Sequence, residues 1–403
     1  MDAGPIKPDS QIAGPRTGAG ITFVLLSLAG FAIGANIRIT DPLLPTFAIE
    51  FATTVGAAAI VATLFAVAHG ALQIAYGPLG DRIGKLPIVA FASIASAIIS
   101  AATAFAESLA ALAALRLLSG FATAAIVPLT LAFVGDTTTY AQRHAALARY
   151  TGTVMLGLIC GQVLGGFIAE LWGWRAVFYF IAGVFAVAGV GLLLSPELRA
   201  GRNGHAGASG GYKQMFSLFK RPAVRYVLAA VCAQGAISFT TAAFVGAHLH
   251  DRFGFSLGGI GIMLGLFAAG GLAYSFVTSR VVARLGERGV LAIGGLVFGA
   301  CFFVMALAGD WHAYIPALFV AGIGLMMVHN TFQAHATQMA PEARGAALSL
   351  FAAMIFLGQT IGFAVASLVY DQWGAIPIFL SAAIGFPIIA FAFRSTVAKK
   401  DAT

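Results

Sequence analysis

The chain has 403 residues, of which 60% are hydrophobic and only 9% charged, with a formal net charge of +8. Soluble domains carry roughly 25% charged residues, so a water-facing globule is excluded and the charges must be confined to short connections between apolar runs. The positive excess requires no nucleic-acid partner, because a bilayer with anionic lipid on one face accounts for it.

Apolar segments of about twenty residues or more, the length that crosses roughly 30 Å of hydrocarbon as helix, recur along nearly the whole sequence. In chain order they are 19–46, 54–78, 87–106, 108–136, 143–170, 175–196, 223–249, 257–283, 289–308, 312–339, 344–371 and 375–394. Lipid offers backbone polar groups no partner and no stretch alternates like a barrel strand, so all twelve are expected to be transmembrane helices of an all-α membrane protein. Residues 1–18 form a polar tail lacking the short core and small-residue cleavage site of a removed signal peptide.

Basic residues orient the spans. Lys7, Arg16, Arg82, Lys85, Arg143, Arg149, Lys213, Lys220, Arg284 and Arg344 all fall in or beside one alternating set of loops, which the positive-inside bias makes cytoplasmic. Both termini, with the tail at 395–403, are then inside. Trp172, Trp174, Trp311 and Trp373 fall at the opposite interface, where an amphipathic ring is favoured.

The segment 197–222 contains the one long Gly-rich polar stretch inside the chain and reads as a flexible linker. It separates a six-span half at 19–196 from a second at 223–394, and the halves resemble each other. At an offset of about 201, Arg143, Gly157, Gly161 and Trp172-Gly173 meet Arg344, Gly358, Gly362 and Trp373-Gly374, while Arg82-Ile83-Gly84 meets Arg284-Leu285-Gly286 one residue further on. Parallel repeats imply a pseudo-two-fold axis along the membrane normal, with a solute site between the halves near mid-membrane.

Polar residues inside the spans are the candidate functional groups. The first span carries Asn36, Arg38 and Asp41, followed by Pro42 and Pro45. Arg38 and Asp41 are three apart and share a helical face. Asp41 is the one carboxylate expected well inside a span, and two readings fit it: a proton carrier, or a static ion-pair partner of the neighbouring arginines. His69 and Gln73 lie in the second span; the imidazole serves either proton exchange or packing. Arg116, about eight residues into the fourth span, would cost about 2.5–3.5 kcal/mol facing lipid, so it is expected to face the cavity or a partner.

The fifth span holds Gly157, Gly161, Gln162, Gly165 and Gly166, small residues that allow close helix contact. Gln234, Ser238 and Thr241 in the seventh span and His329, Asn330 and Gln333 in the tenth are expected along a solute path, or bonded between helices. Cys160, Cys232 and Cys301 read as small apolar residues, with no disulfide or metal-ligand spacing.

The loop Gly77-Pro78-Leu79-Gly80-Asp81-Arg82-Ile83-Gly84-Lys85 resembles the signature of the major facilitator superfamily between its second and third helices, and the likeness extends over the whole chain. Leu115-Arg116 with Pro128 and Gly135-Asp136 resembles that family's fourth-helix motif, and the glycines at 157–166 resemble the fifth-helix motif of its antiporters, with Gln162 where proline is expected. The drug/proton antiporter branch is the most similar. The resemblance implies two six-helix bundles rocking about a central site. It implies that Gly77, Asp81, Arg82, Gly84, Lys85 and Asp136 form a conformational latch, Asp81 near the start of the eleventh helix and Arg82 paired with Asp136. The second-half counterpart has Ala283 in place of the acid. Export of a small organic solute driven by proton influx across the inner membrane, by a monomer needing no cofactor, is the leading expectation. Proton symport or facilitated uptake of a metabolite is the second reading, and a non-transporting membrane receptor a weaker third. No nucleophile–base pair or phosphate loop suggests an enzyme.

Overall fold

The computed structural model describes residues 17–199, 217–340 and 344–400, apart from the side chains of 17–19, 77, 78, 81, 140, 141, 144, 344, 345 and 396–400. Most of the linker at 197–222 lies outside the described residues. The first half contains α1 (Thr17–Arg38, continued by a 3-10 turn at Asp41–Leu43 and by Leu44–Glu50), α2 (Val55–Ala58 and Ile60–Ile83), α3 (Lys85–Thr103), α4 (Leu109–Thr123 and Ile126–Thr137), α5 (Tyr140–Trp172) and α6 (Trp174–Leu193). The second contains α7 (Pro222–Gln234, a π turn at Gly235–Phe239, and Thr240–Phe253), α8 and α9 within Leu257–Leu307, α10 (Tyr314–Gln338), α11 (Arg344–Trp373) and α12 (Ile376–Lys400).

Among the described residues, eleven helical segments are long and apolar enough to cross a membrane. One of them, Leu257–Leu307, has 51 residues and is broken at Gly286, where φ is +64°. Its two parts fold back. Gly270 lies against the carbonyl of Phe319 and Gly294 against that of Gly324, so both touch one short stretch of α10. In a straight helix those glycines would stand about 36 Å apart. Gly286 therefore separates α8 from α9, and the described residues form the twelve long helices expected from hydropathy.

The helix breaks follow from the sequence. Pro42 and Pro45 have no N–H to continue α1 and their rings clash with the preceding turn, which yields the 3-10 turn at Asp41–Leu43. Pro128 likewise accounts for the interruption of α4 at Ala124 and Ala125.

Backbone residues with positive φ come in repeat-related pairs: Gly84 with Gly286, Gly173 with Gly374, and Ala52 with Gly254. Each ends one helix of a half and begins the next. Ala52 occupies the left-handed region at φ +49°, and the Thr53 N–H reaches the Ala48 carbonyl at 2.9 Å, the bond that closes a helix end of this type.

The glycines of α5 serve α1. A Cβ on Gly157 or Gly161 would meet the backbone of Phe31 or Ala35, and one on Gly165 would meet Ile39; Gly166 alone of the four faces α8, at Leu257. The second half repeats this, with Gly358 and Gly362 against Cys232 and Ala236 of α7.

One end of the bundle bears Lys85, Arg143 and Asp136 and is named the inner end after the expected charge bias; the opposite, outer end bears Trp172 and Trp373. Those two tryptophans are exposed as interfacial residues should be. Trp174 is not: it is buried against Phe47 and Phe178 in the core of the first half.

Non-glycine residues in the left-handed region carry roughly 1–2 kcal/mol of strain. Ala52→Gly is accordingly expected to raise the thermal stability of the detergent-solubilised protein and Gly254→Ala to lower it, each by about 1 kcal/mol; equal midpoints for all three proteins would show the paired turns to be unstrained.

Candidate functional site

The break in α1 leaves backbone carbonyls without intrahelical partners, and α4 supplies one. Arg116, on α4, is 1% exposed. Its Nη2 donates to the Asn36 carbonyl at 3.0 Å and its Nη1 to Asn36 Oδ1 at 2.7 Å. Asn36 Nδ2 in turn donates to Ser119 Oγ, one turn along α4, at 3.0 Å. The guanidinium also lies over the Phe65 ring of α2, 4.3 Å from its centroid. A cation at the carbonyl end of a helix satisfies the orphan acceptors and the helix dipole together.

Arg38 and Asp41 form a second, adjoining group. Arg38 Nη1 is 3.5 Å from Asp41 Oδ2, a loose pair, and Gln162 Nε2 of α5 donates to the same oxygen at 3.4 Å. The glutamine that stands in place of the motif's proline is therefore a partner of Asp41. Arg116 is not bonded to Asp41, because its guanidinium is taken up by Asn36. Among the described residues Asp41 is the only buried carboxylate.

This second group lies where the halves meet. Arg38 stacks over Phe239 of α7 at 4.6 Å, and Leu44, just beyond the 3-10 turn, is buried in the apolar core of the second half together with Ala59 and Ala62 of α2. Any movement of one half against the other must act on Arg38 and Asp41.

His69 is a packed histidine bonded through Nδ1. Thr123 Oγ1 donates to the Ser119 carbonyl at 2.7 Å, so it accepts from His69 Nδ1, 3.1 Å away. The ring stacks on Phe65 and meets Phe356 of α11 edge-on.

In the second half, Gln234 Nε2 and His329 Nδ1 are 3.0 Å apart and link α7 to α10. The π turn begins at the next residue and turns Phe239 toward Arg38; such an extra residue per turn is common at functional positions. Ser238 and Thr241 are buried and donate to the carbonyls of Gln234 and Ile237 in their own helix. They do not line an open path here, since serine and threonine hydroxyls on a helix readily bond the carbonyl four residues back. Asn330 is half-buried and Gln333 exposed.

At the inner end, the ion pair at Asp136 is made by Lys85, not by Arg82. Gly84, at φ +104°, ends α2 and turns the chain. Lys85, the first residue of α3, is thereby buried against α4, while Arg82 remains on the exposed face of α2. The Gly77 and Asp81 members of the expected latch lie outside the described residues as far as side chains go. The second half is not without a counterpart. Glu287, which corresponds to Lys85 at an offset of 202, meets His335 of α10 at 3.0 Å, as Lys85 meets α4.

Comparison with known proteins fits this architecture. The Major Facilitator Superfamily profile matches residues 26–257 and 227–402, and the chain belongs to that family. It is 23% identical over 376 residues to the uncharacterized MFS-type transporter YceJ of Bacillus subtilis, covering 91% of this chain and 93% of that one. It is 27% identical over 352 residues to the bicyclomycin resistance protein homolog of Haemophilus influenzae, covering 83% and 86% respectively. The crystal structure of the nucleoside transporter NupG superposes with a TM-score of 0.76 over 93% of this chain and 99% of that one, at 16% identity, and shares the fold.

Hydrogen bonds to a charged group contribute about 1.5–3 kcal/mol, so Asn36→Ala is expected to lower the stability of the purified protein by that amount, read by chemical denaturation in detergent. A loss below about 0.5 kcal/mol would mean that the guanidinium finds other partners freely. For the inner-end pair, Asp136→Lys is expected to impair turnover and Lys85→Asp in the same chain to restore it; a double variant no better than the single one would sever the two residues.

Proposed function

We propose that this transporter exports small organic solutes across the bacterial inner membrane in exchange for protons, with both termini in the cytoplasm. The observation that carries the reading is Asp41: a carboxylate at membrane depth, bonded to Arg38 and Gln162, at the junction of the two halves. Ionisable groups so placed in transporters mark ion paths. The drug-resistance relative supports a drug-like solute and the outward direction.

In this scheme the proton and the conformational change act on the same bonds. Proton binding at Asp41 removes the charge that holds Arg38 and draws the Gln162 amide. Arg38 is then held by Phe239 of the other half alone, and the relative stability of the two arrangements changes. A coupling ion can shift such an equilibrium only through this kind of differential interaction. The solute is held between the halves, where His329, Gln234, Asn330 and Gln333 offer hydrogen bonds and Phe239 and Phe351 offer apolar faces. Arg116, Asn36 and Ser119 form the fixed floor on which the Asp41 group moves. Lys85 and Asp136 stabilise one end of the cycle.

Symport of a metabolite would use the same carboxylate with the opposite coupling sign, so one experiment separates the readings. Proteoliposomes with an imposed pH gradient are offered a panel of amphiphilic drugs, sugars and carboxylates. Antiport is expected: an amphiphilic compound moves against the proton flow, and Asp41→Asn reduces gradient-driven transport at least about tenfold, the scale of one lost coupling interaction, while leaving solute binding in place. Wild-type gradient-driven transport by Asp41→Asn would remove the carboxylate from the coupling scheme.

A further inference from the structure

At the outer end, each half offers a carboxylate to the first turn of a helix in the other half. Asp371, near the end of α11, accepts from the Gly56 N–H of α2 at 2.8 Å through Oδ1 and from the Thr54 hydroxyl at 2.7 Å through Oδ2. Glu170, near the end of α5, accepts from the Gly258 N–H of α8 at 2.6 Å. The two contacts are related by the internal repeat, since Glu170 and Asp371 differ by 201 and Gly56 and Gly258 by 202. Even the local caps correspond: Thr54 Oγ1 accepts from Ala57 N–H at 3.0 Å and Ser256 Oγ from Gly259 N–H at 3.3 Å.

The glycines are required by this closeness. A Cβ on Gly56 would lie 2.5 Å from Asp371 Oδ2 and 2.3 Å from the Ser367 carbonyl, and one on Gly258 would lie 2.8 Å from Glu170 Oε2. Two glycines, two caps and two carboxylates thus recur as a set, in positions where each set bridges the halves and neither stabilises a half by itself. An anionic group is favoured at a helix N-terminus, where N–H groups are unpaired.

We infer that Glu170 and Asp371 are the residues of an outer clasp that transport must open: they hold α8 and α2 of the opposite halves shut at the outer end and release them when the site faces outward. The inference rests on the rocking mechanism proposed above and adds to it two positioning residues that belong neither to the solute path nor to the inner latch. Both carboxylates reach the exposed surface, so water stands ready to replace either bond, as a contact broken in every cycle requires.

The test uses the full-length protein in cells, with Cys160, Cys232 and Cys301 changed to Ser and one cysteine introduced at Ala59, which is buried at the junction of the halves. A membrane-impermeant maleimide reports access from outside. Neutralising and removing both groups, Glu170→Ala with Asp371→Ala, is expected to raise the labelling rate about tenfold. Glu170→Gln with Asp371→Asn, which keeps an acceptor and loses the charge, should fall between that and wild type, and Gly56→Ala with Gly258→Ala should mimic the double alanine variant. A second reporter, Ala347→Cys at the inner end, separates a clasp from general loosening: its labelling in inverted vesicles should not rise. Unchanged Ala59→Cys labelling in the double alanine variant, or a rise at both reporters together, would overturn the proposal. Labelling needs neither solute nor ion gradient, so this outcome is independent of whether the protein exchanges drugs for protons.

Discussion

A guanidinium at membrane depth needs partners from the protein, and the arrangement of the first half follows from how the two terminal nitrogens of Arg116 are satisfied. Its two hydrogen bonds end on Asn36, once at the side chain and once at a carbonyl exposed by the proline break in α1. That fixes the depth and rotation of α1 against α4. Arg38 and Asp41, one turn further on, are then carried to the boundary between the halves, where Phe239 and Gln162 meet them. The break and the buried cation are complementary: either alone would leave unpaired polar groups in the membrane.

The rest of the bundle combines rigid seams with separable ones. Within each half, glycines bring α5 onto α1 and α11 onto α7 at backbone contact, the close approach that substitutes for a hydrophobic driving force in lipid. Between the halves glycines also reach backbone, Gly166 at Leu257 and Gly56 at Ser367, but polar and aromatic contacts are added there: carboxylates on helix N-termini at the outer end, and Arg38 over Phe239 and His69 edge-on to Phe356 further in. Contacts of that type can be exchanged for water or for the alternative arrangement at small net difference, as a rocking mechanism demands.

Much of the architecture was legible because membranes restrict it so severely. Span number, the pairing of the halves and the turn at Gly84 and Gly286 all follow from apolar length and from an offset shared by several residues. Candidate polar residues were also legible, since any polar group in such a span is conspicuous. Partners were not. That Asp136 meets Lys85 and not Arg82, that Arg116 binds Asn36 and not Asp41, and that Ser238 and Thr241 turn back on their own helix depend on helix rotation and on the path through a tight glycine turn, neither of which hydropathy encodes. Glu170 and Asp371 escaped notice for a further reason: each stands at the end of a span, where a carboxylate looks like an ordinary solvated residue. The signal was present in their shared offset with Gly56 and Gly258, and became meaningful once those elements were seen to meet across the halves.

The central claim is that the two halves move as bodies about the Asp41 junction. Spin labels on Leu171 and Trp373 at the outer ends of α5 and α11, and separately on Ala148 and Leu348 at their inner ends, measure it by pulsed electron resonance in liposomes. The account predicts two distance populations for each pair, with the longer outer distance rising in the same conditions in which the longer inner distance falls. A single distance in both pairs across pH and added solute, or both pairs lengthening together, would contradict it.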